Sequence, residues 1–337
     1  MSDLLVPVMS FKDFQSDQEV RWCPGCDDYV ILRAMQKALP QMNRNKEDFV
    51  FISGIGCSSR FPYYVDTYGL HSIHGRAPAI ATGVKLANPD LSVWVVTGDG
   101  DAMAIGGNHF IHLIRRNLNI KLVMFNNEIY GLTKGQFSPT SKMEQRTKTS
   151  PYGNIQPPFK PGKLTIGAEG RYFARVPGND PKYMEHIFIE AEKFKGTAVI
   201  EVLQNCVIFN DGAFENVTNR SNSKETQLRV EHGKRMIFGT DDNKGLRLNG
   251  LELEIVTIGE DGVTEEDILI HDAHNPNPTL HQMLTLLEMP VVMGEIRKME
   301  ETPYDEIYFD RMERVAEKSS FKTLDDLFFS GDTYEVD

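Results

Sequence analysis

Four cysteines are the chain's whole complement, at positions 23, 26, 57 and 206, and their spacing is that of one metal site. Cys23 and Cys26 form a C-x-x-C in Trp22-Cys23-Pro24-Gly25-Cys26. Cys57 follows the apolar run Phe49-Val50-Phe51-Ile52-Ser53-Gly54, and Cys206 follows another, Thr197 to Leu203. Four thiolates gathered from loops hold either an iron–sulfur cubane or a structural zinc. Iron would make this an electron-transfer protein, whereas zinc would only staple it. The spacing alone leaves both open.

A second constellation lies at two strand ends. Gly98-Asp99-Gly100 closes the run Ser92–Thr97, and Asn126-Asn127 closes Lys121–Phe125. A diphosphate chelated by magnesium needs oxygen ligands from neighbouring strand ends, with glycines that let backbone approach. Asp99 offers a carboxylate, Asn127 an amide oxygen and Ile129 its carbonyl. A single intervening helix is expected, opened by Gly106-Gly107, whose first amides would face phosphate oxygens. A GDG turn alone is weak. Paired with NN one crossover away, it points to a bound diphosphate and its metal.

These residues need a frame that brings strand ends together. Asp27 and Asp28 are placed to cap a helix from Tyr29 to about Leu39, where Pro40 stops it. Strands at Phe49, Ser92, Lys121, Phe173 and Val199 alternate with helical stretches at Pro78–Ala87, Gly107–Leu118 and Met184–Phe194. That alternation predicts βαβ units, a mostly parallel sheet flanked by helices, and ligands at its carboxyl edge. Residues 1–215 read as one binding domain. Residues 216–337, with a strand at Leu253–Ile258 and a helix at Leu280–Leu287, read as a C-terminal extension packing on the domain or on a partner subunit.

The chain of 337 residues carries 36 basic and 48 acidic side chains, a formal charge of −12. A phosphate-tracking surface needs a basic stripe, so nucleic-acid binding is not expected. No apolar run is long enough to span a bilayer. Met1–Val8 has neither a basic n-region nor a long apolar stretch, so no export signal is expected and the cytoplasm is the expected compartment.

With Trp22-Cys23-Pro24-Gly25-Cys26, Gly54-Ile55-Gly56-Cys57-Ser58, His74-Gly75-Arg76, the GDG and NN pair, and Tyr130-Gly131-Leu132-Thr133-Lys134-Gly135-Gln136 in that order, the chain resembles the β subunit of 2-oxoacid:ferredoxin oxidoreductases over about residues 12–215. The resemblance implies the thiamine diphosphate-binding fold of the diphosphate side. It implies one [4Fe–4S] cluster on Cys23, Cys26, Cys57 and Cys206, and Mg2+ on Asp99, Asn127 and Ile129. Thiamine diphosphate would lie among Gly56, Cys57, Ser58, His74, Gly98, Asp99, Gly100, Asp101, Asn127, Ile129, Gly131 and Leu132. His74 would be the proton-handling or orienting group, while His71, His109 and His112 read as loop or packing residues. Asp27 departs from the glycine common after the second cysteine in relatives.

The implied reaction is thiamine-dependent oxidative decarboxylation of a 2-oxoacid with CoA, giving acyl-CoA, CO2 and reduced ferredoxin. An α subunit carrying the pyrimidine-side domain is required, expected as (αβ)n with n = 2. The Thr133-Lys134-Gly135 form looks like the 2-oxoglutarate members, with Lys134 and Arg60 as cations for a second carboxylate; the bland reading is a solvated Lys134 and an Arg60 paired with Asp66 or with phosphate. A pyruvate:ferredoxin oxidoreductase subunit and a non-oxidative thiamine decarboxylase with structural zinc are the alternatives. For ferredoxin, Lys142, Arg146 and Lys148, or Lys160 and Lys163, are the candidate basic patch.

Overall fold

Apolar, β-branched and aromatic runs too short for helices become the strands, in a computed structural model that describes residues 9–336. The leading octad, read above as free of an export signal, lies outside them. Eight strands form one sheet in the order β2-β1-β3-β4-β6-β5-β11-β7. They are β1 (Phe49–Ser53), β2 (Tyr68–His71), β3 (Ser92–Gly98), β4 (Ile120–Asn126), β5 (Tyr172–Pro177), β6 (Ala198–Leu203), β7 (Gln227–Val230) and β11 (Val291–Lys298). Every neighbouring pair is parallel except β11 with β5. A small antiparallel sheet joins β8 (Ile237–Phe238), β9 (Lys244–Asn249) and β10 (Glu252–Thr257).

A parallel sheet must be covered on both faces, and β4, β5 and β6 are accordingly buried along their whole length. One face packs Phe51, Phe125, Trp94 and Phe188; the other packs Val95, Phe110, Leu122 and Phe173. Phe51 stacks on Trp94 with ring centroids 6.2 Å apart. Truncating such a buried aromatic costs about 3–5 kcal/mol, so the layer that carries the strand ends is rigid.

Three expectations change in the structure. Between GDG and NN there are two helices, Asp99–Met103 and Gly107–Arg116, not one. The break falls where Gly106 presses on the preceding turn: a Cβ there would sit 2.4 Å from the Asp101 carbonyl oxygen. Gly106 therefore packs on the Gly75 loop, and neither Gly106 nor Gly107 lines the strand-end cavity. Asp27 precedes the helix Asp28–Ala38, but its carboxylate makes no cap bond and instead accepts the Asn205 N–H at 2.9 Å. Finally, two strands from beyond residue 215, β7 and β11, enter the main sheet itself.

Candidate functional site

β3 and β4 are adjacent and in register, Gly98 opposite Phe125, so both chemical motifs emerge side by side. They open into a cavity of about 480 Å³. Its walls include Gly56, Cys57, Ser58, His74, Gly98, Asp99, Gly100, Asp101, Asn127, Ile129, Gly131 and Leu132. A second cavity of about 230 Å³ adjoins it, lined by Cys23, Cys26, Cys57 and Cys206 with Arg60 and Lys134. Asp28, Cys57, Asn127, Gly131 and Leu132 belong to both. Arg60 and Lys134 thus border the cysteines rather than the first cavity.

Asp99 is 2 % exposed, and burial pushes its carboxyl up to about 6 against the lowering effect of two hydroxyls. Those hydroxyls, Ser138 and Thr140, both reach Oδ2. The two asparagines of the NN pair divide the work. Asn126 is buried and turns inward: its Nδ2 donates to Glu201 Oε1 at 2.8 Å, and its Oδ1 accepts the Glu128 N–H at 3.3 Å. Asn127 lines both cavities, and its Oδ1 accepts the Ile129 N–H at 3.2 Å. Between them the chain kinks at Glu128, whose φ of 55° is in the left-handed region that non-glycine residues avoid. The buried Glu128 carboxyl is itself pushed up to about 7, chiefly by burial.

Asp101 lines the cavity and also organises the protein around it. Its Oδ1 accepts the Ile55 N–H at 3.0 Å and the Gly75 N–H at 2.7 Å, and lies 2.6 Å from His74 Nδ1. Its Oδ2 accepts from the Thr97 hydroxyl at 2.7 Å. Gly54 makes room for it, since a Cβ there would lie 2.0 Å from Oδ2. His74 is thereby fixed through Nδ1, which leaves Nε2 for the cavity. Tyr130 was not singled out by its sequence; its hydroxyl donates to the Gly100 carbonyl at 3.0 Å, and burial pushes that hydroxyl up to about 12. Thr133 and Gln136 also line this cavity unforeseen. The loop was visible as a motif, but which of its side chains turn inward was not.

The cysteines converge from three loops. A Cβ at Gly131 would lie 3.6 Å from both Cys57 Sγ and Cys206 Sγ. Gly25, at φ 85°, makes the turn that lets Cys23 and Cys26 share a side. Trp22 Nε1 donates to the Cys57 carbonyl at 2.7 Å, and the Asp27 bond to Asn205 ties the C-x-x-C to the Cys206 loop. Burial raises the Cys57 thiol to about 12 and the Cys26 thiol higher still. The Asp28 carboxyl beside them raises both thiols further, as a neighbouring negative charge does. Two buried oxygens beside them, Asp28 Oδ2 and Gln204 Oε1, lack a protein partner. Among the described residues no three His, Cys, Asp or Glu side chains close around a single ion.

The remaining candidates lie elsewhere. Asp66 pairs with Lys46 rather than Arg60, which donates to the Arg21 carbonyl at 2.8 Å. Lys142 is 3.5 Å from Glu128, and Lys160 is 2.9 Å from Glu288. His71, His109 and His112 do not line either cavity. Among the described residues no helix is long and apolar enough to cross a membrane.

The family described as "Thiamine pyrophosphate enzyme, C-terminal TPP binding domain" matches residues 54–202. A 2-oxoglutarate oxidoreductase subunit KorB of Mycobacterium tuberculosis is 46% identical over 332 residues, 97% of this chain and 88% of that one. A 2-oxoacid:ferredoxin oxidoreductase β subunit of Aeropyrum pernix is 47% identical over 190 residues, 56% of this chain and 60% of that one. Among solved structures, a chain of the 2-oxoglutarate:ferredoxin oxidoreductase from Magnetococcus marinus, with 2-oxoglutarate, coenzyme A and succinyl-CoA bound, superposes with a TM-score of 0.78 at 30% identity, over 96% of both chains.

Proposed function

Because the chain belongs to the thiamine diphosphate-dependent 2-oxoacid:ferredoxin oxidoreductases, we propose that it is the β subunit of a 2-oxoglutarate:ferredoxin oxidoreductase. The relatives' names and the ligands of the Magnetococcus marinus enzyme support 2-oxoglutarate over pyruvate as substrate. The reaction consumes the 2-oxoacid and CoA and yields acyl-CoA, CO2 and reduced ferredoxin. One observation carries the reading: the diphosphate-side cavity and the four-cysteine cavity share a wall at Cys57, Asn127 and Gly131. A carbon-centred oxidation and its electron acceptor are thereby neighbours.

Thiamine diphosphate bound in the first cavity supplies carbanion stabilisation, and an iron–sulfur cluster in the second supplies one-electron acceptance. The chain's own part is to hold and orient. Asp99, Asn127 and the Ile129 carbonyl are the Mg2+ ligands, oxygen donors as a hard cation requires. The hydroxyls of Ser138 and Thr140 keep Asp99 aimed. His74, anchored by Asp101, presents Nε2 to hold or deliver a proton. Lys134 and Arg60 hold the substrate's distal carboxylate. Cys23, Cys26, Cys57 and Cys206 ligate the cluster, and all four line the second cavity. Residues 1–215 supply this binding unit, and residues 216–337 brace it.

A glutamate on the pyrimidine side is expected from an α subunit, giving an (αβ)2 assembly that reduces ferredoxin. Co-purified, anaerobic complex should reduce ferredoxin only with 2-oxoglutarate and CoA present, and the isolated chain should be inert. Turnover by the chain alone would refute the partner requirement. A complex that releases aldehyde without reducing ferredoxin would favour the zinc-stapled decarboxylase.

A further inference from the structure

Strand registry gathers three polar side chains onto one face of the sheet, at the wall of a third cavity of about 460 Å³. Met124 and Arg175 both pair with Glu201, so Asn126, two residues beyond Met124, shares their side of the sheet. Around them on that face lie Met124, Phe173 and Val199 of the core. Arg175 Nε donates to Glu201 Oε2 at 2.7 Å, with both side chains at most 6 % exposed. The guanidinium sits 5.7 Å from the Phe173 ring centroid and reaches the Val292 carbonyl of β11 at 3.4 Å. The other Glu201 oxygen, Oε1, takes Asn126 Nδ2.

Asn126 is thereby locked in one amide orientation, with Oδ1 facing the kink. That oxygen accepts the Glu128 N–H and lies 3.0 Å from the Thr140 hydroxyl, which also reaches Asp99. The kink turns Asn127 outward, and the hydroxyl aims Asp99. The kink that places Asn127 thus hangs from one amide, and the Thr140 hydroxyl beside Asp99 packs on it; the amide's orientation is fixed by an ion pair that itself leans on a strand of the C-terminal extension.

A buried ion pair is poor evidence for stability, since well-packed apolar residues often do as well. Its use here must be sought in what it orients. We infer that the Arg175–Glu201 pair is a positioning element for the Mg2+ site, acting through Asn126. This rests on the cofactor reading above, in which Asp99 and Asn127 bind Mg2+ with thiamine diphosphate. Outer-shell partners of this kind typically govern about 10–100-fold in metal affinity.

The test uses the intact complex, stripped with EDTA and titrated with Mg2+ at saturating thiamine diphosphate, with binding read as heat. Glu201→Gln removes one of the two acceptors; the double variant Arg175→Met with Glu201→Leu replaces the pair by apolar volume. Both should bind Mg2+ about 10–100-fold more weakly, with kcat recovering at high Mg2+. A purely structural pair would instead give wild-type Mg2+ affinity in whichever variant folds, and that result overturns the inference. Asp99→Ala separates the two failures. It should abolish Mg2+-dependent binding, and wild-type binding in that variant would sink the cofactor reading itself.

Discussion

The two cavities meet at Cys57 and Gly131 yet are finished to different degrees. On the diphosphate side Asp99, Asp101 and Asn126 are each held by protein donors. On the cysteine side Asp28 Oδ2 and Gln204 Oε1 are buried without a protein partner, burial pushes the Cys26 and Cys57 thiols up, and Cys23 is exposed. The contrast has a chemical reason. Oxygen ligands can be aimed in advance by hydroxyls and amides. Thiol ligands cannot, because their charge arrives only with the metal. The polar groups of the first cavity are therefore satisfied within the protein, and those of the second are not.

The largest expected effect breaks the shared wall. Cys57→Ala should lose iron and all ferredoxin reduction while retaining slow decarboxylation of 2-oxoglutarate. Ferredoxin reduction at wild-type rate in that variant would remove the cluster assignment. On the prepared side, Asp101→Asn keeps the shape but cannot take all four donors as an anion. It should lower kcat by about 10–100-fold without changing iron content; loss of iron instead would mean that the two sites are not independently built.

Lys134→Ala is smaller. A charge-assisted contact at an exposed loop is worth roughly tenfold or less, so the KM for 2-oxoglutarate should rise by that much while the KM for pyruvate stays put. Equal changes for both substrates would remove Lys134 as the selector.

The smallest effect reads the unfinished side through pH. Burial raises the Asp28 carboxyl from 3.8 to about 7. Between those values the folded chain binds a proton that the unfolded chain has lost. Stability from this group is thus complete below about pH 4 and is lost as pH rises through about 7, by at most about 4 kcal/mol. Iron-free chain should melt lower at pH 8 than at pH 5, and Asp28→Asn should narrow that gap. An unchanged gap would place the strain elsewhere.

Much of this was legible from residue type and spacing. Asp99, Asn127, Cys57 and Cys206 follow strand ends, where local pattern and global topology agree, while Cys23 and Cys26 share the turn before the first helix. What escaped depends on tertiary geometry. The role of Asp101 as an anchor for Ile55, His74 and Gly75 left no mark in the sequence, because those residues approach it only in the fold. Asp27 looked like a cap until the Asn205 loop folded onto it. The Arg175–Glu201 pair was hidden inside strands whose partnership exists only in the register of β5 with β6. In β11, Glu295 and Arg297 interrupt the apolar run, so its entry into the sheet left no periodic trace.

The most direct measurement is iron, acid-labile sulfide and zinc per chain in anaerobically purified protein. The account predicts about four irons and four sulfides, as a cubane on four thiolates requires, with zinc absent. Stoichiometric zinc without sulfide would contradict it, leaving a thiamine site beside a staple rather than beside an electron acceptor.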